Sequence, residues 1–163
     1  MRTLLLVRHA KSSWAEPGLG DFDRPLNDRG KRDAPEMARR IRKKNISVDL
    51  LVSSPAKRAS KTARLFAEEL SINPDQIKYV PELYLAGTAE FIRAIKFIDD
   101  SYNTIAIFSH NPGITEFANS LTSVRVDEMP TCAVYALTGD SNSWKTFMEG
   151  NKQFLFFDYP KSI

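Results

Sequence analysis

An α/β fold, a three-layer sandwich with a mostly parallel central sheet flanked by helices, is predicted by two features of the sequence. Short, continuous apolar runs recur along the chain, as expected of strands covered on both faces. Each of the first four is followed by a loop and then by apolar residues at helical spacing, the order of elements that builds a parallel sheet. No repeat at solenoid periods and no low-complexity segment interrupts this order. Residues 1–163 therefore read as one domain.

Thr3–Val7 reads as the first buried strand, and the mixture of Ser, Pro, Gly and Asp from Lys11 to Arg24 as a loop of functional length. Asn27 caps a helix to about Lys44, with Ala34, Met37, Ala38 and Ile41 on one face. Leu50–Ser53 is the second strand. Ser54 and Pro55 supply an N-cap and a first-turn proline for a helix carrying Ala59, Ala63, Phe66 and Leu70. Ile77–Val80 is a brief third strand. Thr88 caps a helix that buries Phe91, Ile92, Ile95 and Ile98. Thr104–Phe108 is a fourth strand, after which Asn111 caps and Pro112 opens a helix through Phe117 and Leu121. Ala133–Leu137 and Gln153–Tyr159 close the sheet as strands expected to be antiparallel near an edge.

A chain of 163 residues fits one domain at roughly 150 residues each and buries about 69% of its unfolded surface. Hydrophobic residues at 42% and charged residues at 26% exclude disordered, collagen-like and mucin-like chains. Lys and Arg number 23 against 20 Asp and Glu, and this net +3 admits an anionic substrate without demanding nucleic acid. One cysteine, Cys132, excludes an intrachain disulfide and fits a reducing compartment. Leu4–Val7 is too short for a membrane span or a signal segment. The expectation is a soluble, cytoplasmic protein with no membrane or nucleic-acid partner, and a monomer is compatible with the sequence.

Ligands of open α/β sheets bind beyond the carboxyl ends of the parallel strands. Arg8 and His9 follow the first strand, Arg58 opens the helix after the second, Glu82 follows the third and His110 the fourth. Both histidines of the chain thus fall at one rim with two guanidiniums, whose fork geometry suits a phosphate gripped bidentately. The helix after Asn111 adds backbone N–H groups and a positive dipole end.

Arg8-His9-Ala10, Ser54-Pro55-Ala56-Lys57-Arg58, Pro81-Glu82-Leu83 and Ser109-His110-Asn111-Pro112-Gly113 resemble, in order, the motifs of the histidine phosphatase superfamily, which includes the phosphoglycerate mutases. The compact length and Pro25-Leu26-Asn27-Asp28-Arg29-Gly30 are most similar to its SixA-type phosphohistidine phosphatases. The resemblance implies a phosphoglycerate mutase-like fold and a phosphorylated His9. Arg8, Arg58 and His110 then hold the phosphoryl oxygens, Ser12 and Asn111 lie near the phosphate, and Glu82 stands where many relatives keep a carboxyl proton donor. Ala10 replaces the glycine of the widespread Arg-His-Gly pattern, and Lys11 stands where several mutases carry an acidic or amide residue.

The chemistry asks for the same residue types. A histidine nucleophile must be neutral on the attacking nitrogen, which nearby guanidiniums favour. Arg8, Arg58 and a protonated His110 would stabilise the charge on the equatorial phosphoryl oxygens, so neither a metal nor another cofactor is required. Glu82 would protonate an alkoxide leaving group. The expected activity is metal-independent hydrolysis through phospho-His9, with a phosphohistidine-bearing protein as the substrate implied by the resemblance. The alternatives are a sugar or nucleotide phosphomonoesterase and a non-catalytic phosphoprotein-binding module. A basic nucleic-acid binder is the third class, but the cluster Arg39, Arg40, Arg42, Lys43 and Lys44 is better read as cations complementing a helix C-terminus. Cys132 reads as a small buried hydrophobe, and Trp14 lies in the loop beside the site.

Overall fold

The computed structural model describes residues 1–162. Six strands form one sheet in the order β3-β2-β4-β1-β5-β6: β1 (Arg2–Arg8), β2 (Leu50–Ser53), β3 (Lys78–Tyr79), β4 (Thr104–Ser109), β5 (Val134–Gly139) and β6 (Lys152–Asp158). The first four are parallel, whereas β5 pairs antiparallel with β1 and β6 antiparallel with β5, so the two closing strands make the edge as expected.

Alternating side chains of each strand enter opposite layers. Leu5, Val7, Ala106 and Phe108 pack under α1 (Asp28–Lys43) and α2 (Lys57–Glu69), which contribute Met37, Ile41 and Phe66. Leu4, Leu6, Ile105 and Ile107 pack under α3 (Thr88–Lys96) and α4 (Gly113–Leu121), with Phe91, Ile114, Phe117 and the later Trp144. Phe66 meets Phe108 edge to face at 5.0 Å, and burying each such ring is worth about 1.5–3 kcal/mol. Among the described residues no helix is long and apolar enough to cross a membrane.

Helix starts differ from the sequence reading, each for a tertiary reason. Asn27 caps α1 as expected, its Oδ1 accepting from the Gly30 N–H at 2.9 Å. Ser54 does not cap α2, which begins at Lys57. Its hydroxyl instead accepts from the Ala56 N–H at 3.2 Å and sits 2.8 Å from His110 Nε2. Gly87 rather than Thr88 precedes α3, because Glu90 Oε1 accepts from the Gly87 N–H at 2.8 Å. Ile92 is half-buried, and Ala94 lies in the core of α3 in its stead. Asn111 does not cap α4, since its Oδ1 accepts from Thr115 Oγ1 at 2.6 Å and its Nδ2 donates to the Met129 carbonyl at 3.0 Å.

The loop between β1 and α1 doubles back on itself. Ser12 bridges Leu26, the Ser13 N–H donates to the Pro25 carbonyl at 2.8 Å, and the Asn27 N–H to the Lys11 carbonyl at 3.0 Å. Gly30 makes this approach possible, because a Cβ there would stand 2.2 Å from the Lys11 oxygen. The outer part of the loop, with its 3-10 turn Asp21–Asp23, is thereby carried over the carboxyl ends of the parallel strands.

Candidate active site

Strand pairing puts the two histidines side by side. Arg8 registers with Ser109 across β1 and β4, and the His9 N–H donates to the Ser109 carbonyl at 3.1 Å. The rings of His9 and His110 lie 5.1 Å apart, and both residues are buried. His9 Nδ1 is 2.8 Å from the Ala10 carbonyl, which only accepts, so Nδ1 carries the proton and Nε2 the lone pair. That lone pair accepts from Arg58 Nε at 3.3 Å. Thr62 on α2 fixes the backbone beside it: its Oγ1 accepts from the Ala10 N–H at 3.0 Å and donates to the Arg58 carbonyl at 2.7 Å.

Burial pushes His9 down to about 3, with the charges of His110, Arg58 and Arg8 acting in the same direction. His110 is pushed down to about 4, again by burial first and then by Arg58. Both rings are therefore neutral at pH 7, and this corrects the expectation of a protonated His110 in the resting pocket. Ser54 Oγ accepts from the Ala56 N–H and lies 2.8 Å from His110 Nε2; in the tautomer in which the hydroxyl donates to that nitrogen, the His110 proton sits on Nδ1. His110 Nδ1 is buried without a hydrogen-bond partner in the protein, as are Arg8 Nε and Arg24 Nη1. Unpaired buried donors of this kind are costly, and an oxyanion satisfies them.

The sequence reading missed three residues of this site. Asp21 accepts from Arg58 Nη2 at 2.9 Å and from the Tyr84 hydroxyl at 2.7 Å, and its backbone carbonyl accepts from Arg58 Nη1 at 2.6 Å. Tyr84 and Arg58 hold the Asp21 carboxyl below its usual range, so it is an anion rather than an acid. Arg24 pairs with Asp21 at 3.4 Å and stacks on the exposed Trp14 ring at 3.5 Å. Tyr84 stands edge-on to His110 at 5.5 Å. The one signal for Asp21 and Arg24 was their place in a loop too long to be a mere connection.

Of the expected residues, Arg8, His9, Arg58 and His110 converge. Ser12 is buried in the loop beside them and held by its backbone pairing with Leu26. Glu82 does not join: it is exposed, and it lines a separate groove with Lys78, Tyr79, Arg93 and Phe97. Asn111 ties α4 to Met129, as described above. Among the described residues no group of three or more His, Cys, Asp or Glu side chains could hold a metal ion.

Paired neutral histidines among three guanidiniums at the carboxyl end of a parallel sheet define an enzyme that handles phosphoryl groups. The profile of the histidine phosphatase superfamily (branch 1) matches residues 4–87, and the chain belongs to that family as a hydrolase of phosphate esters. An uncharacterized chloroplastic protein of Arabidopsis thaliana is 30% identical over 152 residues, 88% of this chain and 69% of that one. An uncharacterized protein of Mycobacterium leprae is 33% identical over 119 residues, 71% of each chain. Among solved structures, the protein histidine phosphatase SixA complexed with tungstate superposes with a TM-score of 0.82 over 97% of both chains at 19% identity. A mycobacterial glucosyl-3-phosphoglycerate phosphatase superposes with a TM-score of 0.73 at 14% identity, over 98% of this chain and 100% of that one. These superpositions fix the fold as that of the phosphoglycerate mutase-like histidine phosphatases.

Proposed function

We propose that the chain is a metal-independent phosphatase that works through phospho-His9 and removes phosphoryl groups from phosphohistidine on proteins. The observation that carries the substrate assignment is the state of Asp21. The carboxylate bonded to Arg58, which itself contacts His9, is ionised and also bonded to Tyr84, and Glu82 lies in another groove. A pocket with no carboxylic acid at hand suits a leaving group that needs none. Phosphohistidine with its second ring nitrogen protonated expels neutral imidazole, whose conjugate acid has a pKa of about 6.5. An alkyl phosphate expels an alkoxide and gains about 10²–10⁴-fold from a general acid.

In the first step the His9 Nε2 lone pair attacks phosphorus as the bond to the substrate nitrogen breaks, and that electron pair leaves with the imidazole. Arg58, Arg24, Arg8 and His110 Nδ1–H receive the phosphoryl oxygens. The His9 Nδ1 proton, held by the Ala10 carbonyl, stays in place, so phospho-His9 is itself a protonated phosphoimidazole. In the second step water attacks phosphorus, the bond to Nε2 breaks, and its electron pair returns to the ring. The proton lost by water passes to phosphate. Exposed rings at the mouth, Trp14 over Arg24 and Phe22 against Tyr84 at 5.0 Å, suit contact with a macromolecule. The single cysteine fits work in a reducing cytoplasm.

The test is turnover of free phosphohistidine, a phosphohistidine peptide, phosphoserine and sugar phosphates after exhaustive chelation. Highest kcat/KM on the phosphohistidine peptide is the expected result. Preference for a sugar or nucleotide phosphate would replace this reading with a small-molecule phosphomonoesterase.

A further inference from the structure

Two sets of cations in this chain behave differently. The arginines of the basic run at the end of α1 are paired within the fold: Arg39 with Glu36 at 3.2 Å and Glu69 at 3.0 Å, Arg40 with Asp158 at 3.2 Å, and Arg42 with Glu69 at 3.4 Å, while Lys44 lies over the Phe156 ring. Lys31, Lys57, Lys61 and Arg64 are exposed and in no ion pair among the described residues. They line one groove of about 460 Å³ together with Pro25 and Leu26, and no carboxylate lines it. Lys57, Lys61 and Arg64 recur at i, i+4 and i+7 on the outer face of α2, where like charges repel and destabilise a helix unless an anion sits between them.

This groove abuts the candidate active site on both sides. Pro25 directly follows Arg24, and Lys57 directly precedes Arg58, so each wall is one Cα step of about 3.8 Å from a pocket arginine. The same helix turns Arg58 inward and Lys57 and Lys61 outward. We infer that the groove docks an acidic polypeptide segment flanking the phosphorylated residue of a protein substrate. The inference rests on the phosphatase reading and names its partner class. Carboxylate side chains complement four unpaired cations, and the α2 N-terminus at Lys57 adds a positive dipole end. Nucleic acid is the poorer match, because no aromatic side chain lines the groove to stack a base.

The experiment compares two phosphohistidine peptides, one flanked by Asp and Glu and one by Ser and Gly, with free phosphohistidine as the reference. Wild-type protein and a Lys61→Gln/Arg64→Gln double variant are assayed at 50 mM and 500 mM NaCl. Neither substituted residue belongs to the pocket. In low salt the wild type favours the acidic peptide about fivefold to tenfold in kcat/KM, the size expected of a few exposed ion pairs. The preference falls toward one in the double variant and in high salt, while turnover of free phosphohistidine is unchanged. A wild-type ratio of one, an unaltered ratio in the variant, or stronger inhibition by a single-stranded oligonucleotide than by polyglutamate overturns the inference. Failure to hydrolyse free phosphohistidine and both phosphohistidine peptides defeats the phosphohistidine reading alone. Docking is then judged by direct binding of the two unphosphorylated peptides, where equal affinity overturns it and tighter binding of the acidic one upholds it.

Discussion

Arg58 Nε donates to His9 Nε2 at 3.3 Å, so the guanidinium rests on the lone pair proposed to attack phosphorus. In the proposed mechanism the incoming phosphoryl group takes that place, and Arg58 then serves its oxygens. Removing one preorganised donor of developing charge costs about 10²–10³-fold. Arg58→Ala is expected to lower kcat/KM by that much on phosphohistidine and alkyl phosphates alike. Arg58→Lys should restore little, because a point charge cannot serve His9, Asp21 and the phosphoryl group in one plane. Steady-state kinetics of both variants on both substrates make the check, and full activity in the lysine variant would contradict it.

Asp21 is the resident anion of the pocket, bonded to two of the Arg58 nitrogens proposed to hold the phosphoryl group. Replacing it by Asn removes a like charge next to the bound oxyanion. Coulomb energies in a wet site correspond to a roughly threefold to tenfold gain in affinity. Inhibition constants for inorganic phosphate or tungstate should fall by that factor in Asp21→Asn. Weaker inhibition would mean that Asp21 acts by ordering Arg58.

Acid should destabilise the fold earlier than its carboxylates require. His9 at about 3 and His110 at about 4 lie below the 6.5 of free imidazole. Between those values the unfolded chain binds more protons, so stability falls as pH drops below about 6.5. Thermal melts from pH 7 to pH 5, above the carboxylate range, are expected to show a falling Tm. His110→Gln should flatten the slope, and a Tm that stays level in the wild type would show that the rings are not buried neutral.

Glu82 was expected to be the proton donor, yet its side chain is exposed in the groove formed with Lys78 and Arg93. Glu82→Gln should leave kcat/KM within about twofold on both leaving-group classes. A selective loss of 10²-fold or more on an alkyl phosphate would return the donor role to Glu82.

The strand ends were legible because each is a short apolar run closed by polar residues, and this placed Arg8, His9, Arg58 and His110 at one rim. Local capping rules misled at Ser54 and Asn111. Their side chains were claimed by partners 56 and 18 residues away, His110 and Met129, which no nearby pattern encodes. Asp21, Arg24 and Tyr84 escaped for a related reason. Their place depends on the Ser12–Leu26 pairing that folds the loop back, a contact made possible by Gly30 beneath Lys11.

The most direct measurement is the fate of phosphorus on His9. Wild-type protein mixed with radiolabelled phosphohistidine peptide and quenched within milliseconds in alkali should carry acid-labile, alkali-stable label on the peptide containing His9. His9→Ala should carry none, turn over no substrate and melt as a folded protein. Turnover by His9→Ala, or label stable to acid and found elsewhere, would contradict a phospho-His9 intermediate.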